Sequence, residues 1–344
     1  MNHTIKLTPS GRSFACESHA EVLRAGLAAG LFMPYSCRSG VCNTCRGRVV
    51  EGHIDWGDVH PKYLSEEDKA RGFALLCQAR PLSDLTIEVG EIDAGDAIRS
   101  KFMPARVLKM RRAAPDVMIT TLGLPMNEPM LFRAGQYVEI IGTNGLRRSY
   151  SIASAPSNDG VRHVELHIRH LPGGAFTDRL FGGMRVRDVL KVEFPLGSFF
   201  LREKSDKPII MLASGTGFAP IKSIVLDSLR RGLTRPIALY WGGRRREDLY
   251  MMDLCEQWAR EHRHIQFVPV LSEPTPGCAW RGRTGFVHCA VIEDHPNLSG
   301  HQVYACGAPV VVDSARHDYT VHCGLPAAEF FADSFLTAKE KAAA

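Results

Sequence analysis

Four cysteines constrain this chain more than any other feature. Cys37, Cys42 and Cys45 stand at C-x4-C-x2-C spacing within Cys37-Arg38-Ser39-Gly40-Val41-Cys42-Asn43-Thr44-Cys45, and Cys77 follows in Leu76-Cys77-Gln78. A stretch that carries three thiols so close together has to fold as a loop wrapped around whatever it binds. Its backbone N–H groups are then expected to point inward, at sulfur. Gly40 suits such a loop, because glycine turns freely through positive φ.

Two inorganic groups take four thiolates. Structural zinc sites of this kind come as two C-x2-C knuckles, and only one such pair is present. The alternative is a [2Fe–2S] cluster, in which each iron takes two terminal sulfurs beside the bridging sulfides. C-x4-C-x2-C with a distant fourth cysteine is the plant-type ferredoxin spacing for it. A disulfide reading fits least. The start of the sequence, Met1-Asn2-His3-Thr4-Ile5-Lys6, lacks the apolar core of a secretory signal, so a reducing, cytoplasmic setting is expected. No run approaches the ~20 apolar residues that span a bilayer. The other cysteines (Cys16, Cys255, Cys278, Cys289, Cys306, Cys323) have scattered spacings and read mostly as small buried apolar residues.

At 344 residues the chain exceeds one ordinary domain. Residues 1–93 hold ten Lys/Arg against twelve Asp/Glu, and the rest hold 32 against 25. Nothing in that balance reads as a nucleic-acid stripe. The acidic run Glu66, Glu67 and Asp68 reads as a solvated helix face that a basic partner could also meet.

The pattern changes along the chain. Residues 3–16 alternate as a hairpin, Glu21–Ala29 has helical apolar spacing ended by Gly30, Arg46–Glu51 is a strand, Leu64–Gly72 a helix capped by Ser65, and Leu85–Val89 a strand. A small β-grasp unit over 1–93 fits, and it resembles the plant-type ferredoxin domain throughout, including Tyr35-Ser36 before the first ligand. Residues 94–103 read as a linker. Residues 104–204 hold strands at Ala105–Met110, Asp116–Leu124, Gln136–Ile141, Arg148–Ile152, His163–Arg169 and Val189–Phe194, with one helix at Ala175–Phe181, which suggests an antiparallel barrel. Residues 205–337 open on the continuous apolar run Pro208–Ala213. Strands Pro236–Trp241, Ile265–Leu271 and Gln302–Cys306 then alternate with helices Pro220–Arg231, Asp248–Glu261 and Pro309–Cys323. That is the mark of a doubly wound parallel sheet. Residues 338–344 read as a tail.

The barrel strand Arg148-Ser149-Tyr150-Ser151 is a weak pattern alone, open to reading as a surface arginine and a core tyrosine. After a ferredoxin domain it resembles the flavin signature of the ferredoxin–NADP reductase superfamily. The resemblance implies that Arg148 neutralises a diphosphate, that Tyr150 lies against the flavin ring, and that Ser149 and Ser151 line it, with Ser151 reaching N5 as a catalytic group. A second element, His167-Ile168-Arg169 followed by Gly173, Gly174 and Thr177 at a helix start, is the one that family uses for the phosphates and adenosine. FAD is the expected flavin; the residues themselves leave FMN open. A C-terminal aromatic, Phe335, is expected over the flavin face or, alternatively, closing the sheet.

Ser214-Gly215-Thr216-Gly217-Phe218-Ala219-Pro220 follows a buried strand and opens a helix, the context that makes a glycine turn credible as a dinucleotide site. Proline stands at the third glycine place; G-T-G-x-A-P is the superfamily's form for NAD(P). Gly215, Thr216, Gly217 and Pro220 are thus expected at the nucleotide. Cys306-Gly307-Ala308-Pro309 resembles its C-G-x-P, which places Cys306, as a second catalytic residue, with Gly307 and Pro309 at the hydride-transfer zone. Asp248 could accept from a ribose hydroxyl, favouring NADH, and Arg244 could pair a 2′-phosphate, favouring NADPH. NADH is expected.

Together the three segments resemble the NADH-dependent iron–sulfur flavoprotein reductases that feed bacterial oxygenases, and, end to end, the CDP-6-deoxy-Δ3,4-glucoseen reductase type. The resemblance implies an enzyme. NADH yields two electrons as hydride, a [2Fe–2S] cluster carries one, and FAD between them converts one currency into the other. A protein acceptor takes the single electrons: an oxygenase or hydroxylase component, or alternatively a CDP-sugar dehydrase. A reading of another class is a non-catalytic redox sensor, which would turn over NADH slowly. A monomer without nucleic-acid or membrane partners is expected.

Overall fold

The structure is a computed structural model, and it describes residues 1–92, 98–142 and 145–335. The expected tail 338–344, the first four residues of the expected linker (94–97) and the end of the last expected domain lie outside the described residues. The chain packs as two compact units, the first starting at Met1 and the second spanning Arg99–Ala332.

The first unit is a five-stranded sheet under a helix. Its elements are β1 (Asn2–Thr8), β2 (Ser13–Glu17), α1 (Val22–Ala28), β3 (Arg46–Glu51), β4 (Ile54–Asp55), α2 (Glu66–Ala70), β5 (Phe73–Leu75), β6 (Arg80–Pro81) and β7 (Leu85–Glu88). The main sheet runs β2-β1-β7-β3-β5, and β4 pairs with β6 apart from it. β1 lies antiparallel to β2 with Ile5 opposite Phe14, and parallel to β7 with Leu7 opposite Ile87. These inward residues meet Val22 and Leu23 of α1 in one core, as the alternating and helical spacings predict. Gly30, at φ 79°, ends the helix in the left-handed turn expected of it. α2 is shorter than the expected 64–72. Ser65 and Asp68 close a capping box at its start: Asp68 N–H donates to Ser65 Oγ at 3.1 Å and Ser65 N–H to Asp68 Oδ2 at 3.3 Å.

The second unit begins with a six-stranded antiparallel sheet: β8 (Lys101–Ala114), β9 (Val117–Gly123), β10 (Tyr137–Ile141), β11 (Arg147–Ser151), β12 (His163–Arg169), α3 (Ala175–Gly182) and β13 (Val189–Leu196). The order is β11-β10-β13-β8-β9-β12. Ile152 bridges to Leu166, and Ala153 N–H donates to Glu165 O at 2.7 Å, so the two edge strands meet and the sheet closes into the expected barrel. β8 starts at Lys101, paired with Phe194, so three residues of the expected linker are strand. Lys101, Phe102 and Met103 show no alternation, which hid a backbone ladder, because β13 supplies the partners whatever the side chains are.

The remainder is a parallel layer: β14 (Ile209–Ser214), α4 (Phe218–Arg230), β15 (Ile237–Gly243), α5 (Met252–Glu261), β16 (Ile265–Leu271), β17 (Arg283–Thr284), α6 (Val287–Asp294), β18 (Gln302–Gly307), α7 (Pro309–Val321) and β19 (Phe330–Ser334). The order β17-β16-β15-β14-β18-β19 puts β14 at the centre, parallel to both neighbours, and Ile209 to Ala213 are at most 1% exposed. Ile210, Leu212, Tyr240 and Val303 pack on α6 and α7. On the opposite face Trp241 stacks on Phe218 of α4, whose ring also neighbours Trp258 of α5. Helices on both faces make the sheet doubly wound, as expected. β17 and α6 lie outside the expected elements. Gly282, Gly285 and the absence of a capping side chain at Phe286 made that stretch read as loop. Among the described residues no helix is long and apolar enough to cross a membrane.

Candidate functional site

The cysteine loop folds as its spacing demands. Arg38, Gly40 and Asn43 all take positive φ, at 52°, 76° and 57°, which coils the backbone tightly enough to turn the chain between ligands. Backbone N–H groups point inward: those of Ser39 and Val41 at Cys37 sulfur, and that of Gly40 at Cys77 sulfur. The Ser39 contact measures 3.4 Å. Ser39 and Thr44 turn their hydroxyls toward Cys37 and Cys42, without reaching ordinary hydrogen-bond geometry. Gln78, beside the fourth cysteine, donates to its own neighbour's sulfur at 3.9 Å.

The four thiols fall into two pairs. Cys42 and Cys37 act on each other as close neighbours, which pulls Cys37 down to about 5 and pushes Cys42 well up, with burial adding to the rise. Cys45 and Cys77 are neighbours in the same way, which lowers Cys77 and raises Cys45. Two sulfur pairs, each ringed by N–H donors, fit a group of two metal atoms with two terminal ligands apiece. A single tetrahedral ion would draw the four together instead. The donor set therefore fits a [2Fe–2S] cluster held by Cys37, Cys42, Cys45 and Cys77.

On the barrel, β11 carries Arg148, Ser149, Tyr150 and Ser151 in register against β10, with Tyr150 opposite Val138. Ser151 is buried and Tyr150 is half-buried, its ring 5.4 Å from that of Phe176 on α3. Burial raises the Tyr150 phenol far above its ordinary value, so it stays neutral. Ser149 Oγ donates to Glu139 at 3.3 Å. Arg148 gives one donor to Arg147 O at 2.9 Å. The neighbouring Arg147 is held by Glu139 and Glu193, which leaves Arg148 as the arginine of this pair suited to a phosphate.

The second expected flavin element divides. Gly173, at φ 83°, faces open space, so a Cβ there meets nothing within 4 Å. Its N–H donates to Asp178 at 3.1 Å. Gly174 is different: a Cβ would lie 2.7 Å from Thr177 Oγ1 and 2.8 Å from Leu171 O, and Thr177 donates to Leu171 O at 2.9 Å. Gly174 and Thr177 thus build the turn itself. Ile168 is core, 1% exposed. His167 is buried with both ring nitrogens engaged, Nδ1 2.8 Å from Tyr250 Oη and Nε2 2.9 Å from Glu165. Burial lowers the His167 imidazole below its usual range. For Glu165, burial pushes the carboxyl up, but the bond to His167 and the nearby Lys222 charge outweigh it and hold it at about 2. Arg169 is paired with Asp248 at 2.7 Å and Asp116 at 3.1 Å.

The glycine turn opens α4 as a short tight helix, Gly215–Gly217. Gly215 has φ 53°, and Trp241 Nε1 donates to its carbonyl at 3.0 Å. A Cβ on Gly217 would lie 2.1 Å from Cys306 O and 2.8 Å from Gly307 Cα, and a Cβ on Gly307 2.6 Å from Ser214 O. These two glycines let the turns after β14 and β18 touch, which brings Thr216, Cys306 and Gly307 to one end of the sheet. Pro220 sits in the first turn of α4, where its missing N–H costs nothing, and Pro309 begins α7. Cys306 is fully buried. Asp248 is not free for a ribose: Oδ2 accepts from the N–H groups of Arg244 and Arg245 at 2.8 and 3.0 Å, and Oδ1 from Arg169. It caps the turn that delays α5 to Met252, four residues past the expected start. Arg244 remains exposed. Phe335 follows β19 and is half-buried.

Sequence reasoning missed the aromatic bed under the turn, Trp241, Phe218 and Tyr250, and it missed Lys222. The lysine left a signal: it occupies the apolar stripe Phe218, Ile221, Lys222, Val225, at i, i+3, i+4 and i+7.

Three family models match the chain in order. A 2Fe-2S iron-sulfur cluster binding domain covers residues 5–82, an oxidoreductase FAD-binding domain 104–201, and an oxidoreductase NAD-binding domain 211–317. The chain is 37% identical to a CDP-6-deoxy-L-threo-D-glycero-4-hexulose-3-dehydrase reductase of Yersinia pseudotuberculosis, over 98% of this chain and 100% of that one. It is 39% identical to the reductase subunit of an aromatic O-demethylase of Amycolatopsis, over 90% of this chain and 92% of that one. The solved structure of the Amycolatopsis reductase GcoB superposes with a TM-score of 0.78 at 34% identity, covering 97% and 98% of the two chains.

Proposed function

Because the chain belongs to the iron–sulfur flavoprotein reductases, which join 2Fe-2S, FAD-binding and NAD-binding domains in one polypeptide, we propose that its electrons serve a separate oxygenase or hydroxylase component. The coarse activity is that of its relatives: electrons enter from NADH and leave to a protein partner. The observation that carries the reading is the pairing of the four thiols. A site for two irons passes one electron at a time, which is what an oxygen-activating partner consumes. Bound FAD supplies the step from hydride to single electrons.

The chain's own residues take the following parts. Arg148 meets the flavin diphosphate, Tyr150 and Ser151 line the ring, and the open Gly173 turn leaves room for the rest of the FAD. The Gly215-Thr216-Gly217 turn and Gly307 give backbone approach to the nicotinamide nucleotide. Cys306 would provide a small, soft wall beside the reacting ring. NADH is the donor proposed from the chain's likeness to reductases of this domain order, since with Asp248 engaged no residue argues for it. A monomer in the cytoplasm is the working form, consistent with ten free cysteines, none of them in a disulfide among the described residues.

A second reading has its own support: the identity to the hexulose-dehydrase reductase runs over that protein's full length. There the acceptor is a CDP-sugar dehydrase. Anaerobic stopped-flow mixing of NADH-reduced protein with each purified acceptor separates the two. The partner that reoxidises the chain within the turnover time is the physiological class. Reoxidation by neither, with slow NADH turnover, would leave the redox-sensor reading standing.

A further inference from the structure

Lys222, Glu165, His167 and Tyr250 meet where the barrel packs on the nucleotide layer; Lys222 and His167 are buried, Glu165 and Tyr250 partly so. Lys222, on α4, is 7% exposed. Its ammonium donates to Glu165 Oε1 at 2.9 Å and to Ala153 O at 3.0 Å. Glu165 Oε1 also meets His167 Nε2 at 2.9 Å, and His167 Nδ1 meets Tyr250 Oη at 2.8 Å. Ser223, next along α4, donates to Ser154 O at 2.7 Å. Every one of these bonds except that between Glu165 and His167 crosses from barrel to nucleotide layer.

The anchor points are close in sequence to both expected binding elements. Ala153 lies two residues past Ser151, on the flavin strand. Lys222 lies two residues past Pro220, in the helix that the glycine turn opens. Resting on the functional reading above, we propose that Lys222, Glu165, His167 and Tyr250 are positioning residues, which set the spacing between the flavin strand and the nicotinamide turn. Hydride transfer needs its two carbon and nitrogen centres at roughly 3–3.5 Å, and a displacement of about 1 Å costs on the order of 100-fold in rate. A buried ion pair is a poor source of net stability, because desolvation offsets its attraction. It is a good ruler, because each charge is fixed from two directions: Lys222 also donates to Ala153 O, and Glu165 also meets His167. Glu165 is thus held by one residue from its own strand and one from the opposite layer.

The test uses the full chain loaded with its cofactors. The variants are Lys222→Met, Glu165→Gln, the double variant, Lys222→Arg and Tyr250→Phe. Bleaching of the wild-type flavin by NADH is measured first; its absence would refute the functional reading and, with it, the positioning role that rests on it. Given that bleaching, limiting hydride-transfer rates in the Met and Gln variants should fall about 30- to 100-fold. NADH affinity should change less than about threefold, and electron delivery from dithionite-reduced protein should not change. Lys222→Arg, which keeps charge and donors, should recover most of the rate. Two further readouts separate positioning from bulk stability. The long-wavelength charge-transfer absorbance of NAD+ on reduced flavin, which reports ring stacking, should weaken in the slow variants. In the flavin-free protein, the double variant should unfold within about 2 °C of wild type, since removing both charges strands neither. If the double variant regains the wild-type rate along with its stability, or if every variant bleaches as the wild type does, the network is only structural and the proposal is wrong. Should the Gln and Met variants fail to fold, Tyr250→Phe should show the slowed bleaching and the weakened absorbance while Lys222→Arg keeps both, and equal behaviour of the two would overturn the proposal.

Discussion

Gly217→Ala sets two physical expectations against each other. Gly217 has φ −58°, an ordinary helical value, and it caps α4. By propensity alone, alanine should stabilise a helix by up to about 1 kcal/mol relative to glycine. The structure argues the opposite. The new Cβ would stand 2.1 Å from Cys306 O, 2.5 Å from its carbonyl carbon and 2.8 Å from Gly307 Cα. All three are backbone atoms at the end of a strand buried on both faces, so no side chain can swing away. Overpacking of this kind costs about 1–3 kcal/mol, and opening the contact also moves the β18 turn. The net effect is a loss of about 1–2 kcal/mol, or roughly 2–8 °C in apparent unfolding midpoint for a unit of this size. NADH affinity should drop at least tenfold, because the turn and Cys306 separate, while the flavin and cluster absorbance stays. Gly215→Ala is the control: its φ of 53° strains alanine, but its Cβ meets the tip of Arg169, 3.0 Å away, which can move. Thermal scans and NADH titrations of both variants decide. A midpoint for Gly217→Ala above wild type would show that propensity governs and that the close approach of the two turns is not what requires glycine.

Further outcomes follow from other sites. Cys42→Ser should abolish reduction of the protein acceptor yet retain NADH-to-ferricyanide activity, and steady-state assays with each acceptor check this. Ser65→Ala removes one arm of the capping box and should cost about 1 kcal/mol in urea unfolding of the first unit. For His167, burial puts the folded-state pKa below the ordinary 6.5, so the unfolded chain takes up the proton first and stability is lost as pH falls below about 6.5. Its contribution between pH 7.5 and 5.5 is at most about 1.4 kcal/mol, and urea midpoints should fall more steeply for wild type than for His167→Gln. Glu165, held at about 2, adds its own loss only below its ordinary 4.5 and so does not enter that window.

Much of this was legible because periodicity and spacing are local. The alternation of Ile5, Leu7, Phe14 and Cys16, the buried run before Gly215 and the C-x4-C-x2-C loop each specify their own geometry. What was hidden depends on pairing across the fold. Asp248 looked like a ribose acceptor on its place after β15, but Arg169 from the barrel and two local N–H groups take both its oxygens. His167 looked like a flavin contact on its motif, but Tyr250 and Glu165 fill its two nitrogens. Gly217 was expected at the nucleotide and Gly307 at the hydride-transfer zone, and the structure gives them a prior duty, to admit each other. Lys101–Met103 read as linker because a strand edge accepts any backbone. In each case one deciding partner is at least 70 residues away, as Arg169 is from Asp248, Tyr250 from His167, Cys306 from Gly217 and Phe194 from Lys101, beyond what a local pattern encodes.

The central claim is that one chain holds a two-electron and a one-electron carrier together. Anaerobic reductive titration, followed by visible absorbance with iron and sulfide counted on the same sample, tests it most directly. The account predicts two irons, two sulfides and one FAD per chain, and an uptake of about three electrons, two at flavin and one at the cluster. An end point at about two electrons, with zinc or no metal bound by Cys37, Cys42, Cys45 and Cys77, would contradict it.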